Sequence, residues 1–113
     1  MRKSDKKMDN QLRLLLTQVC ETALKEIDGF QWLTHLVDYS HFPQSLKVVC
    51  VFDSNENLSL FMSKNSGHEL ASLIQIKLSE VGVIIKDMSG QVAFDTEEKC
   101  DSENQGNWAE RLK

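Results

Sequence analysis

Hydrophobic residues near the start of the chain recur at three- and four-residue steps, which is the spacing of one face of an α-helix. This apolar stripe is formed by Leu12, Leu15, Leu16, Val19, Cys20, Ala23 and Ile27. Gly29 follows, and glycine commonly ends a helix. The pattern predicts a helix over residues 10–28, preceded by a frayed basic arm over residues 1–9. Leu14 points away from the stripe and is either an ordinary exposed leucine or part of a second contact surface.

The stretch from residue 29 to residue 56 has the pattern of a β-hairpin. In its first arm, residues 30–39, Trp32, Thr34 and Leu36 share one face, and Leu33, His35 and Val37 share the other. Pro43 falls in the connection, where it bars a ladder hydrogen bond. The second arm, residues 46–52, is apolar at every position from Val48 to Phe52, which is typical of a central strand covered on both faces.

Two helices and a second hairpin are predicted after this stretch. Apolar residues at helical spacing predict helices over residues 55–63 and about 67–81, the latter ended by Gly82. Residues 83–86 and 91–95 have strand character on either side of a Met-Ser-Gly turn, which predicts a hairpin. Lys77 lies within the apolar stripe of the 67–81 helix. Its head either extends past the helix edge into solvent or faces a carboxylate or ligand from a partly buried position.

The ends of the two hairpins resemble each other in sequence. The segments Phe-Asp-Ser-Asn-Glu, residues 52–56, and Phe-Asp-Thr-Glu-Glu, residues 94–98, follow the same pattern. With the preceding helices this predicts a single α+β domain of order αββ(α)αββ, with a folded core over residues 10–95. A four-stranded, mainly antiparallel sheet would carry the two main helices on one face. The other face would need cover from the tail, the short helix or a second subunit.

Composition and charge narrow the class of protein. The chain has 113 residues and a formal net charge of −4 at pH 7, with an acidic tail over residues 96–113. An acidic chain disfavours nucleic acid as a partner, because that affinity comes largely from neutralising phosphates. No apolar run is long enough to span a membrane, and no signal-peptide core is present. Three cysteines at unrelated spacings predict a reduced, cytoplasmic protein.

The residues that could carry chemistry do not form a recognisable catalytic or metal-binding motif. The acidic run from Asp95 to Asp101 lacks the order of a calcium loop, and no glycine-rich phosphate loop or nucleophile elbow occurs. We therefore expect no catalytic residue, cofactor or metal. His35 and Tyr39 beside the hairpin connection form either an ordinary surface or the rim of a ligand site. Trp108 stands alone in the polar tail and either clasps its own sheet or docks on a partner.

Three segments resemble a family of small uncharacterised bacterial proteins, some of which are labelled Fis-like transcription regulators. They are residues 29–35, Gly-Phe-Gln-Trp-Leu-Thr-His, residues 94–98, and Gly106-Asn107-Trp108. The resemblance extends over nearly the whole chain, and its label implies a DNA-binding helix-turn-helix. This sequence departs from that pattern, because a Fis-type recognition helix is basic and C-terminal whereas this end is acidic. No functional residue is therefore transferred from the label.

The sequence favours a non-catalytic cytoplasmic protein-interaction module that self-associates as a homodimer. One alternative is a nucleic-acid-associated transcription regulator, supported by the basic arm and the family label. Another is a small-ligand or enzymatic site near the first hairpin. The candidate interaction residues are Leu14, Trp32, His35, Tyr39, Lys77 and Trp108.

Overall fold

The first helix is longer than its apolar stripe predicts. The computed structural model describes residues 3–64 and 66–113, and within them α1 runs over Lys3–Glu26. The expected frayed arm is therefore helical from Lys3 onward, and Met8 packs against the core. The first two residues of the predicted arm lie outside the described residues.

The first hairpin is confirmed. Strand β1, Phe30–Leu36, pairs antiparallel with β2, Lys47–Phe52, and a bulge interrupts the register between Phe30 and Trp32. Gly29 makes the turn from α1 into β1 with a φ of +83°, which favours glycine. A Cβ at Gly29 would also lie 2.7 Å from the Cβ of Asn57. Strand β2 is central and buried from Val48 to Phe52, as its uninterrupted apolar pattern predicts.

The prediction of four strands and a second hairpin is wrong. The sheet has three strands in the order β1-β2-β3, and β3, Val92–Thr96, runs parallel to β2. Residues 83–86 form no strand: Val83 and Ile85 are buried, and Gln75 Nε2 donates to the Ile85 carbonyl at 3.0 Å. The alternation of this segment thus reflects packing on the core without a ladder partner. Helix α4, Met88–Gln91, occupies the position expected for the turn.

The remaining helices follow their capping residues. Helix α2, Asn55–Ser63, has Ser54 as its N-cap, and α3 covers Ser66–Ser79. Thr96 caps α5, Glu97–Asn104, by accepting a hydrogen bond from the Lys99 N–H at 3.0 Å. Helix α6, Trp108–Arg111, is capped by Asn107. The acidic tail from Thr96 onward is therefore helical over Glu97–Asn104 and Trp108–Arg111.

The hydrophobic core lies between one face of the sheet and helices α1 and α3. Side chains at alternate positions of β2, Val48, Cys50 and Phe52, join the apolar stripe of α1 and the inner residues of α3. Val49 and Val51 point to the opposite face and are buried as well. Neither face of the central strand is bare. None of the helices in the described residues is long and apolar enough to cross a membrane.

The sequence echo has a structural explanation other than a duplicated hairpin. The two similar segments lie at the carboxyl ends of neighbouring parallel strands, where Phe52 pairs with Thr96 and Cys50 pairs with Phe94. Each segment ends a strand, supplies a cap and starts a helix. The ends are tied together, because Thr96 Oγ1 donates to Asn55 Oδ1 at 2.6 Å.

Candidate functional site

A groove on the surface runs along the outer edge of β1. It has a volume of about 810 Å³, and α1 forms its other wall. Five consecutive residues of the β1 segment, Leu33 to Val37, line it together with Asp9, Arg13, Leu16, Thr17, Cys20, Glu21 and Tyr39. Successive side chains of a strand point to opposite faces, so a groove lined by consecutive residues lies at the strand's edge.

That edge has no partner strand in the described sheet. Strand β1 is the first in the order β1-β2-β3 and pairs only with β2. The outward N–H and C=O groups of an edge strand can bind another extended chain. The bulge at Gln31 restricts the regular part of this edge to residues 32–36, about 17 Å of strand.

A polar cluster at one end of the groove joins α1 to the hairpin. Asp9 Oδ1 accepts a hydrogen bond from the Tyr39 hydroxyl at 2.8 Å and lies 3.2 Å from His35 Nε2. Asp9 Oδ2 lies 3.0 Å from Arg13 Nε. The side chains of Asp9 and His35 are only 15% and 14% exposed. Two of the residues named as a possible rim, His35 and Tyr39, are therefore brought together by the carboxylate of Asp9 on α1.

The electrostatics of this cluster favour an ionised carboxylate and a neutral phenol. Hydrogen bonds from Tyr39 and then from His35 hold the pKa of Asp9 below its usual value. Burial, and then the hydrogen bond to Asp9, raise the pKa of Tyr39. Tyr39 is thus held protonated as a donor. The thiol of Cys20 is eleven residues from Asp9 on the same helix, about 16 Å along its axis. Cys20 therefore lies outside the polar cluster.

The two tryptophans form a second constellation on the opposite face of the sheet. Trp32 and Trp108 meet edge to face, with ring centroids 4.8 Å apart. Glu97 lies between them and accepts from both indoles, from Trp32 Nε1 at 2.6 Å and from Trp108 Nε1 at 2.9 Å. The C-terminal segment therefore docks on the sheet of its own chain, and we call this arrangement the tryptophan clasp.

An ion pair closes the clasp beside β3. Arg111 Nε donates to Asp95 Oδ2 at 2.6 Å, and a second guanidinium nitrogen donates to Asp95 Oδ1 at 3.0 Å. Burial opposes ionisation of Asp95, but the Arg111 and Thr96 hydrogen bonds outweigh it and hold the pKa of Asp95 below its usual value. Asp95 and Glu97, which belong to the acidic run noted in the sequence, are thus structural residues.

The other two predicted residues lie away from the groove's polar cluster. Leu14 is on the outer side of α1 and is 70% exposed. Lys77 is on α3, and its ammonium lies 4.0 Å from a carboxylate oxygen of Glu80 on the same helix. Sequence reasoning thus missed Asp9 and Arg13, whose four-residue separation on one helix was the available signal, and grouped Lys77 with residues that it does not approach.

Two further features bear on chemistry. A smaller cavity of about 380 Å³ lies where the end of α1 meets α2 and α3, with Ala23, Phe61 and Leu70 among its lining residues and Glu26, Asp28 and Glu69 beside them. Burial raises the pKa of the Cys50 thiol to about 12, so that cysteine is an inert core residue. Within the described ranges, no three His, Cys, Asp or Glu side chains are arranged to hold a metal ion.

Comparisons with known proteins assign no family. No protein-family model, curated protein or solved structure matches this chain. The resemblance to Fis-like regulators therefore stays a prediction, and any function must be argued from the geometry of the molecule.

Proposed function

We propose that this protein is a non-catalytic interaction module that takes up an extended protein segment along the open edge of β1. The observation that carries the proposal is the groove lined by five consecutive residues, Leu33 to Val37, beside an unpaired strand edge. Strand addition is a recurring mode of protein recognition, in which the main chain supplies affinity and side-chain pockets supply specificity.

The groove offers both parts of such a site. Outward backbone groups of residues 32–36 would form the ladder. Side chains on one face of the added strand would lie between β1 and α1, near Leu33, Leu16 and Cys20. The side of α1 that contributes Arg13, Thr17 and Cys20 continues at helical spacing to Leu24, which is 51% exposed. This exposed leucine would extend the contact beyond the strand.

The tryptophan clasp changes which surface serves for interaction. The sequence predicts a bare sheet face as a contact surface, whereas Trp32 and Trp108 on that face are already engaged with each other. The proposed contact with a partner is therefore at the edge of the sheet. Three free cysteines support the further proposal that the module works in the reducing cytoplasm.

A peptide titration tests strand addition. The probe copies residues 30–37 and carries terminal lysines for solubility, and the labelled protein is observed by backbone NMR. We expect shifts that are confined to β1 and to the groove side of α1, because the peptide would pair only with the free edge. The control peptide has proline in place of the residue corresponding to Thr34, which removes a donor and blocks continuous pairing.

Two results of this titration would contradict the proposal. Equal binding of the proline peptide would show that backbone pairing is not involved. Shifts centred on β3 or on the smaller cavity would place the site elsewhere. A Gln44→Lys protein serves as the control and should bind the peptide like the parent protein. Gln44 is exposed in the hairpin connection, outside residues 32–36.

A small-ligand site in the same groove is a second candidate. It is favoured by the convergence of Asp9, Arg13 and His35. Its weakness is that Asp9 already uses both carboxylate oxygens on neighbouring side chains. Thermal shift screening with small amines and acids tests it: a stabilisation that is lost in Asp9→Asn but kept in Asp28→Asn would favour this candidate over strand addition.

A further inference from the structure

We infer that the segment occupying the open edge of β1 is β1 of a second copy of this chain, so that two molecules form one continuous six-stranded sheet. This inference rests on the proposed function, since it names the occupant of the same edge.

Strand β1 lacks most of the features that prevent an edge strand from pairing with itself. Proteins protect such edges with lysines, prolines, inward-pointing charges or bulges. Residues 30–36, Phe-Gln-Trp-Leu-Thr-His-Leu, contain no Lys, Arg, Asp, Glu or Pro. One bulge is present, at Gln31, and it leaves residues 32–36 regular. An edge reserved for a foreign peptide would need protection against its own copy.

An identical strand also matches this edge in charge. The strand itself carries no formally charged residue unless His35 is protonated. Across the groove the charge of Asp9 is balanced by Arg13, whose Nε lies 3.0 Å from Asp9 Oδ2, and Glu21 stands farther along α1. A neutral strand entering between these walls meets no unbalanced charge at the polar cluster. The polar cluster can thus accommodate an uncharged segment such as β1.

A two-fold axis gives a register in which the β1 strands of the two copies can pair. Antiparallel pairing about an axis at Thr34 keeps the two faces of the sheet distinct, because paired residues then point to the same side. Trp32 would face Leu36 of the partner subunit, and Leu33 would face His35 of the partner subunit. Aromatic and branched pairs of this kind stabilise antiparallel strands. The order of strands in the assembly would be β3-β2-β1-β1-β2-β3.

Sedimentation equilibrium over a range of concentrations tests the inference on the full chain. We expect a dimer that dissociates on dilution. Thr34→Lys should weaken it about tenfold or more, since it brings two like charges together near the axis. Thr34→Val, which keeps the branched shape, and Gln44→Lys, which adds the same charge outside the edge, should leave the dimer intact.

A second variant distinguishes loss of the dimer from loss of the fold. Leu36 pairs with Lys47 on β2, so Leu36→Glu gains a partner within its own chain while placing a carboxylate opposite Trp32 of the partner subunit at each end of the dimer interface. Its far-ultraviolet circular dichroism should match the parent protein, and its dimer should be weakened as in Thr34→Lys.

Each outcome of these experiments decides the question. A dimer that is unaffected by both charged variants would overturn the inference, because its interface would lie elsewhere. A monomer that still captures the β1 peptide would overturn the second copy as occupant but leave the proposed function standing. A monomer that captures no peptide would overturn both.

Discussion

At the scale of single residues, two carboxylates connect the C-terminal segment to the sheet. Glu97 accepts both indole N–H groups, and Asp95 accepts two hydrogen bonds from Arg111. Neither role can be inferred from the density of acidic residues in this part of the sequence. Each depends on a carboxylate that accepts two donors at the same time.

Replacing Glu97 by Gln tests the double acceptance. The amide can present only one oxygen, so one indole N–H would face an NH₂ group. We expect a loss of about 1–3 kcal/mol in the free energy of unfolding, measured by urea denaturation. Asp101→Asn removes a carboxylate charge from the same helix at an exposed position and should be nearly neutral. Equal effects of the two variants would argue against the clasp.

The lowered pKa of Asp95 predicts how stability depends on pH. Because its pKa is lower in the folded state, its contribution is present above the unfolded value of about 3.9 and is lost as pH falls through the folded value. Asp9 acts in the same direction. We expect urea midpoints to fall below about pH 4. The fall should be shallower in Asp95→Asn than in Asp101→Asn, and identical profiles would contradict the role of Asp95.

At the scale of elements, the C-terminal segment 105–113 acts as a strap over the second face of the sheet. Helix α6 brings Trp108 to Trp32 and Arg111 to Asp95. The sheet face carrying Val49 and Val51 is buried in the same molecule. The strap therefore packs on the sheet of its own chain.

Removing residues 105–113 should expose Trp32, the single tryptophan that remains. We expect its fluorescence emission to shift to longer wavelength and the free energy of unfolding to fall by about 2–5 kcal/mol. Trp108→Phe keeps an aromatic ring at the contact and should give a smaller loss. Unchanged emission after truncation would show that the strap does not cover Trp32 in solution.

Local patterns predicted the elements whose contacts are local in sequence. The apolar stripe of α1 and the first hairpin follow from spacing and residue type. The strand predicted over residues 91–95 is present as β3, but its parallel pairing with β2 could not be predicted in this way. Residues 83–86 and 92–96 have similar strand character, and long-range contacts, such as the Gln91 side chain donating to the Leu46 carbonyl, decide which of them joins β2.

The residues of the candidate site also differ in whether the sequence alone could identify them. His35 and Tyr39 could be picked from the sequence because they flank the hairpin connection. Asp9 could not be assigned to them, because it lies 26 residues from His35 along the chain. The sequence left two alternatives for Trp108, a clasp on its own sheet or a contact with a partner, and its acceptor Glu97 lies within a run of carboxylates that gave no reason to single it out. Identical residue types in that run have different roles, which only tertiary contacts separate.

At the scale of the whole molecule, charge is divided between two surfaces. Lys3, Lys6, Lys7 and Arg13 are exposed on α1, whereas the exposed residues of α5 include Glu98, Asp101 and Glu103. The net charge is nevertheless −4. The lysines of α1 are the structural basis for the alternative of a nucleic-acid-associated regulator.

We expect this basic surface to bind nucleic acid only weakly. Four cations give a shallow salt dependence, and the acidic remainder of the molecule repels phosphate. Fluorescence anisotropy with mixed DNA and RNA should show little binding at 150 mM salt, and the variant Lys6→Glu and Lys7→Glu should behave like the parent. Tight binding that falls steeply with salt and is lost in that variant would favour the regulator.

The edge of β1 is the feature on which the proposed function depends, and hydrogen exchange monitors it directly. In dilute protein we predict fast exchange at alternate amides of residues 32–36, those facing away from β2, while the amides of β2 stay protected. Raising the protein concentration should protect these β1 amides. Slow exchange of all β1 amides at every dilution, or concentration-dependent protection confined to β3 or α3, would contradict an open edge that takes up a strand.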